Sequence, residues 1–177
     1  MENQEASIKK IALNYGVLLA LLSIVLQVIS FVLDAHIDRP WWLTVLQLGI
    51  SIGVIFMALK AYKEGSAGYL TLGQALKTGI AVSLIAGIIS VIFNYFFVNY
   101  IDPDFIQKAM DFSQEQMLEQ NPNMSQDQID MAMNMSAKFM TPLVMAAFAL
   151  IGSLFFGFII SLVMGLIMKK NPPQQFN

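Results

Sequence analysis

Residues 77–100 read KTGIAVSLIAGIISVIFNYFFVNY, and from Thr78 to Tyr100 no side chain is charged. Wound as a helix with a rise of about 1.5 Å per residue, this stretch reaches about 35 Å and crosses a hydrocarbon core of about 30 Å. Its small residues keep a period. Ala75, Gly79, Ser83 and Gly87 fall at every fourth position, and Ser90 and Asn94 continue the same face. Lipid offers no hydrophobic drive to bring helices together, so close backbone approach along small-residue grooves takes its place. The opposite face carries Ile85, Ile89, Ile92 and Phe96, which suit lipid or a bulky neighbour. The stretch is predicted to be the third and central membrane helix.

Three further apolar runs flank it. Ile11–Leu33 is too long for a signal-peptide core and lacks a good cleavage site at its end, so it reads as a retained first span. Gly16 and Ala20 give it a close-packing pair, and Gln27 gives it an inward amide. The second span runs over 41–59, opening on Trp41 and Trp42 as headgroup anchors and containing Gln47 and the pair Gly49/Gly53. Thr71 with Gln74 forms a capping box, which starts the third span near Leu72 and carries it to about Tyr100. The fourth span, 141–168, repeats the stripe as Ala149, Ser153, Gly157, Ser161 and Gly165. Lys169 and Lys170 end it, before a short tail over 171–177.

Composition agrees. Hydrophobic residues make up 56% of the chain and charged residues 12%, against roughly 25% charged in soluble domains. The expected fold is all-α: one membrane domain over 1–177, a bundle of four transmembrane helices. The one long hydrophilic stretch, 102–140, is predicted to be an extracytoplasmic helical hairpin. Asp102-Pro103-Asp104 reads as a helix start with Asp102 as cap, and Asn121-Pro122-Asn123 breaks that helix near Glu119. Ser125 with Gln128 opens the second arm, with Ile129, Ala132, Met133, Phe139 and Met140 inward.

Charge sets the expected orientation. Lys9, Lys10, Lys60, Lys63, Lys77, Lys169 and Lys170 lie at one end of the spans, and Arg39, Lys108 and Lys138 at the other. Excess lysine near span ends marks the cytoplasmic face, so both termini are expected there. The hairpin then presents Asp102, Asp104, Asp111, Glu115, Glu119, Asp127 and Asp130 outside as a solvated acidic face, with docking of a basic partner as the alternative.

Three stretches carry a family resemblance: Lys60-Ala61-Tyr62-Lys63, Tyr69 to Gly79 (YLTLGQALKTG), and Tyr100-Ile101-Asp102-Pro103-Asp104-Phe105. The chain resembles the bacterial membrane proteins of DUF4199 over nearly its whole length. The resemblance implies a bacterial inner (cytoplasmic) membrane and a four-span layout. It brings no catalytic residue or ligand.

Function classes narrow from here. The net charge of −2 and the lack of a basic block exclude nucleic acid as a partner. Without cysteine there is no thiolate metal site. No nucleophile triad, phosphate loop or zinc-protease spacing is present, so no enzyme and no cofactor is expected. The spans lack Asp, Glu, Lys, Arg and His, which disfavours ion-coupled transport. His36, between Asp34 and Asp38, reads as a solvated loop residue, with a proton or cation site as the alternative. Met131, Met133 and Met135 resemble Cu(I)-binding methionine clusters, but methionine more often fills amphipathic faces. The residues expected to matter are those that pack helices: Gly79, Ser83, Gly87, Asn94, Ser153, Gly157, Ser161 and Gly165. The leading reading is a small membrane subunit or scaffold that sits in the lipid bilayer and binds protein partners or a second copy of itself. A passive small-solute or lipid pathway lined by Ser83, Ser90, Asn94, Ser153 and Ser161 is the alternative.

Overall fold

A computed structural model describes residues 6–172, so the polar leader before Ala6 and the end of the tail lie outside the described residues. The helices are α1 (Ile8–Val32), α2 (Trp41–Gly65), α3 (Leu72–Phe96), α4 (Phe105–Gln120), α5 (Gln126–Phe139) and α6 (Pro142–Met168). A π-helical turn, Phe97–Ile101, extends α3. Four of these elements, α1, α2, α3 with its π turn, and α6, are long and apolar enough to span a membrane. Among the described residues there is no strand, only an isolated antiparallel bridge between Leu70 and Lys170. The chain is an all-α membrane bundle.

α3 is the central helix of the bundle. It packs along α1 on one side and α6 on the other, while α2 leans mainly on α1. Its buried residues are Ala75, Thr78, Gly79, Val82, Ser83, Ala86 and Gly87. The α1 groove sits at Gly16, where a Cβ would lie 2.7 Å from Ile85 Cβ and 2.9 Å from the Val82 carbonyl oxygen. Ile85 therefore fills a notch in α1, and Ile89 packs against the same core. Ile92 and Phe96, further out on that face, are exposed. α6 buries only Gly157, Ile160, Ser161 and Gly165, and the rest of it offers an apolar surface suited to lipid.

The lysine-rich end is tied together by hydrogen bonds. Lys63 Nζ donates to the Met168 carbonyl at 2.8 Å, closing the exposed C-terminus of α6. Leu70 and Lys170 exchange two backbone bonds of 2.9 Å each. The Ala6 amide donates to Ser66 Oγ at 3.2 Å. Gly68 turns the chain at φ 82°, in the left-handed region where only glycine is free of a Cβ clash.

Some boundaries differ from the sequence reading, and α1 already begins at Ile8 rather than Ile11. The second span was expected to end at Leu59, but α2 continues to Gly65. Charges end an apolar run without ending a helix: Lys60 and Glu64 lie one turn apart on the exposed surface, 3.9 Å from each other. Asp102 was expected to cap the helix after Pro103, but α4 begins at Phe105 and its N-cap is Asp104. The capping boxes Thr71/Gln74 and Ser125/Gln128 are both formed, as their local spacing predicts.

Candidate functional site

Two places bring chemically distinctive residues together: the seam between α3 and α6, and a polar junction at the opposite end from the paired lysines. The seam alternates glycine with serine. A Cβ on Gly79 would collide with Ser161 Oγ and lie 2.6 Å from Ser161 Cβ. A Cβ on Gly157 would collide with Ser83 Oγ and lie 2.5 Å from its Cβ. Gly87 meets Ser153 Oγ and Leu150 Cδ1 at 3.0 Å, and Gly165 meets Ala75 Cβ at 2.8 Å. Each glycine is thus the socket for a small side chain on the other helix. Ser153 Oγ donates to the Ser83 carbonyl at 2.8 Å, and Ser161 Oγ donates to the Gly157 carbonyl of its own helix. These two hydroxyls are turned into backbone, where a buried donor needs a partner.

Asn94 lies outside this seam. Its Oδ1 accepts from Gln27 Nε2 at 3.2 Å, which joins α3 to α1 rather than to α6. Gln47 Nε2 donates to Ser23 Oγ at 2.9 Å, joining α2 to α1. Gln27, Asn94 and Gln47 thus make polar links between helices, the arrangement that hydrocarbon favours.

The polar junction corrects the reading of His36 and Asp102. Neither is solvated: their side chains are 6% and 3% exposed. His36 Nε2 lies 2.9 Å from Asp102 Oδ2, and Lys108 Nζ donates to Asp102 Oδ1 at 2.7 Å. Asp34 and Asp38 are not its partners. Three aromatic rings surround the imidazole: Phe31 edge-on at 5.0 Å, Phe105 stacked at 6.2 Å and Phe97 at 6.5 Å. The π turn makes this possible. The Asp102 amide bonds back to the Phe97 carbonyl at 2.9 Å, one residue further than in an α-helix. That shift buries Phe97 and carries Asp102 inward. Burial pushes the Asp102 carboxyl up, but its hydrogen bonds to Lys108 and His36 and their charges outweigh this and hold it below the ordinary carboxylate value. Asp102 in turn raises Lys108. His36 Nδ1 is buried with no partner. The cluster therefore fastens the α1–α2 loop, the end of α3 and the first turn of α4 to one another.

The methionines do not converge. Met131 and Met135 share an exposed face of α5, 74% and 62% accessible, while Met133 is half-buried on another. Among the described residues no group of three His, Asp or Glu side chains could hold a metal ion. Phe139, expected inward, is 55% exposed. α4 and α5 pack together, yet Ile129 is the one buried residue of α5.

No curated protein and no solved structure matches this chain. A family model does, over residues 14–170, and its description is a protein of unknown function. The match takes in most of the first span, the other three spans, the seam and the His36–Asp102–Lys108 junction, and the chain belongs to the DUF4199 family.

Proposed function

We propose that this protein is a non-enzymatic subunit or scaffold of a bacterial inner membrane, binding protein partners or a second copy of itself. The observation that carries this reading is an unused groove. Gly49 and Gly53 on α2 have no atom within 4 Å of where a Cβ would stand, whereas Gly16, Gly79, Gly87, Gly157 and Gly165 are all filled from within the chain. A small-xxx-small pair left open on a lipid-facing helix suits the close approach of another helix. A solute pathway along α3 and α6 fits less well, because the sockets at Gly79 and Gly157 lack room even for a methyl group. A photo-crosslinker placed at Gly49 or Gly53 in native membranes is expected to capture protein. Capture of lipid alone at both positions would defeat the reading.

The proposed orientation has both termini in the cytoplasm. It rests on the clustering of Lys60, Lys63, Lys77, Lys169 and Lys170 at one end, while Lys108 at the other is tied to Asp102. Reporter fusions after Asn177 and within 114–123 should report opposite sides of the membrane. A shared side would overturn the orientation.

A further inference from the structure

We propose that α5 is an interfacial helix, seated through Met131, Met135 and Phe139 in the headgroup–acyl boundary of the leaflet at its own end of the bundle, so that the hairpin lies against the lipid surface. This goes beyond partner binding and does not depend on it.

Three observations carry it. First, α5 has a wider apolar arc than the protein covers. At about 100° per residue, Met131, Met135 and Phe139 lie within an arc of about 80°. Half-buried Ala132, Ser136 and Met133, with buried Ile129, occupy the adjoining arc. The first three remain 74%, 62% and 55% exposed. The flank of that stripe carries Asp127, Asn134 and Lys138, as expected of a helix lying half in water.

Second, the stripe runs into the lipid-facing surface of α6. The Phe139 ring lies 6.3 Å from the Phe148 ring, centroid to centroid. In an uninterrupted helix those positions would be about 13 Å apart along the axis. The chain instead folds at Met140 and Thr141, where ψ passes from 14° to 143°. Phe139 thus comes down beside exposed Phe148 in the first turns of α6, a helix whose Leu143 and Ile151 are exposed as well.

Third, the height is marked by other residues at the same end. Trp41 and Tyr100 are 77% and 74% exposed, where the second span opens and the third closes. Exposed aromatic side chains at span ends sit at the headgroup level. α5 joins α6 at that same end, so its apolar stripe has an apolar medium within reach.

The chain has no native cysteine, so single-cysteine spin labels report without background. Labels would be placed by Met131→Cys and Met135→Cys on the stripe, and by Ala137→Cys off it. Ile151→Cys serves as the lipid-exposed reference. With the intact protein in phosphatidylcholine nanodiscs, accessibility to oxygen and to a water-soluble nickel chelate is compared. The stripe labels should show an oxygen-to-nickel ratio several-fold above that at Ala137, approaching that at Ile151. Equal, water-like ratios at Met135 and Ala137 would overturn the proposal. Protection of Met131 and Met135 from both reagents would also overturn it, because protein rather than lipid would then cover the stripe.

Discussion

Gly79→Ala and Gly157→Ala should each destabilise the bundle by about 2–3 kcal/mol, the upper part of the range for overpacking a closed interior. The reason is local. At Gly79 the new methyl meets Ser161, whose side chain is fully buried and already bonded to the Gly157 carbonyl, so it has nowhere to rotate. At Gly157 it meets Ser83, which is 2% exposed. Relief requires α3 and α6 to separate, which loosens the Gly87–Ser153 and Ala75–Gly165 contacts on either side. The control is unusually direct. At Gly49, Gly53 and Gly152 a methyl meets nothing within 4 Å. There alanine gains helix propensity of up to about 1 kcal/mol over glycine. Thermal unfolding of the monomeric, partner-free protein in one detergent should therefore lower the midpoint for the two seam variants and leave it equal or raised for the other three. Equal midpoints across all five would mean that the α3–α6 seam does not hold the bundle.

The seam was legible in the sequence because it is periodic. Gly79, Ser83 and Gly87 repeat within one helix, as do Ser153, Gly157, Ser161 and Gly165, and a fourfold period needs no knowledge of the partner. The capping boxes at Thr71 and Ser125 were legible for the same reason, since donor and acceptor lie three residues apart. The end of α2 was misread because hydropathy reports where lipid ends, and Lys60 to Gly65 stay helical beyond it. His36 and Asp102 were illegible for a different reason. They are 66 residues apart, and the rings that enclose His36 come from α1, the π turn and α4. Asp102-Pro103-Asp104 carries a strong local signal for a helix cap. The preceding π turn rotates Asp102 away from that role into a long-range one, which no local spacing encodes. Phe139 was placed inward because α5 is amphipathic, but amphipathicity does not say whether protein or lipid covers the apolar side.

Asp102→Ala should cost about 3 kcal/mol and should free the hairpin before the bundle melts. The carboxylate bonds to Lys108 and to His36, and for the enclosed His36 side a hydrogen bond to a charged group contributes about 1.5–3 kcal/mol. Lys108 is 47% exposed and can turn to water, so much of its share is recovered. His36 cannot turn: it is enclosed by Phe31, Phe97 and Phe105, and with Nδ1 already unpartnered the loss of Asp102 would leave both ring nitrogens unpaired. The cost therefore concentrates at the junction of the α1–α2 loop with α4, and hydrogen exchange should rise first at Phe105–Lys108. The sign of the pH dependence follows from the two shifts. Asp102 is held below its ordinary 3.8, so its contribution is complete above that value and is lost as the pH falls through the lower folded one. Lys108 is raised above its ordinary 10.5, so its contribution is complete below that value and is lost as the pH rises through the higher folded one. The pair thus gives a plateau between these limits, with an acid edge below pH 3.8 that belongs to Asp102. In Asp102→Asn that acid edge should disappear from the exchange profile of α4, while the seam-dependent melting of α3 and α6 stays in place. Unchanged exchange at Phe105–Lys108 in both variants would show that the hairpin is held by its aromatic contacts alone.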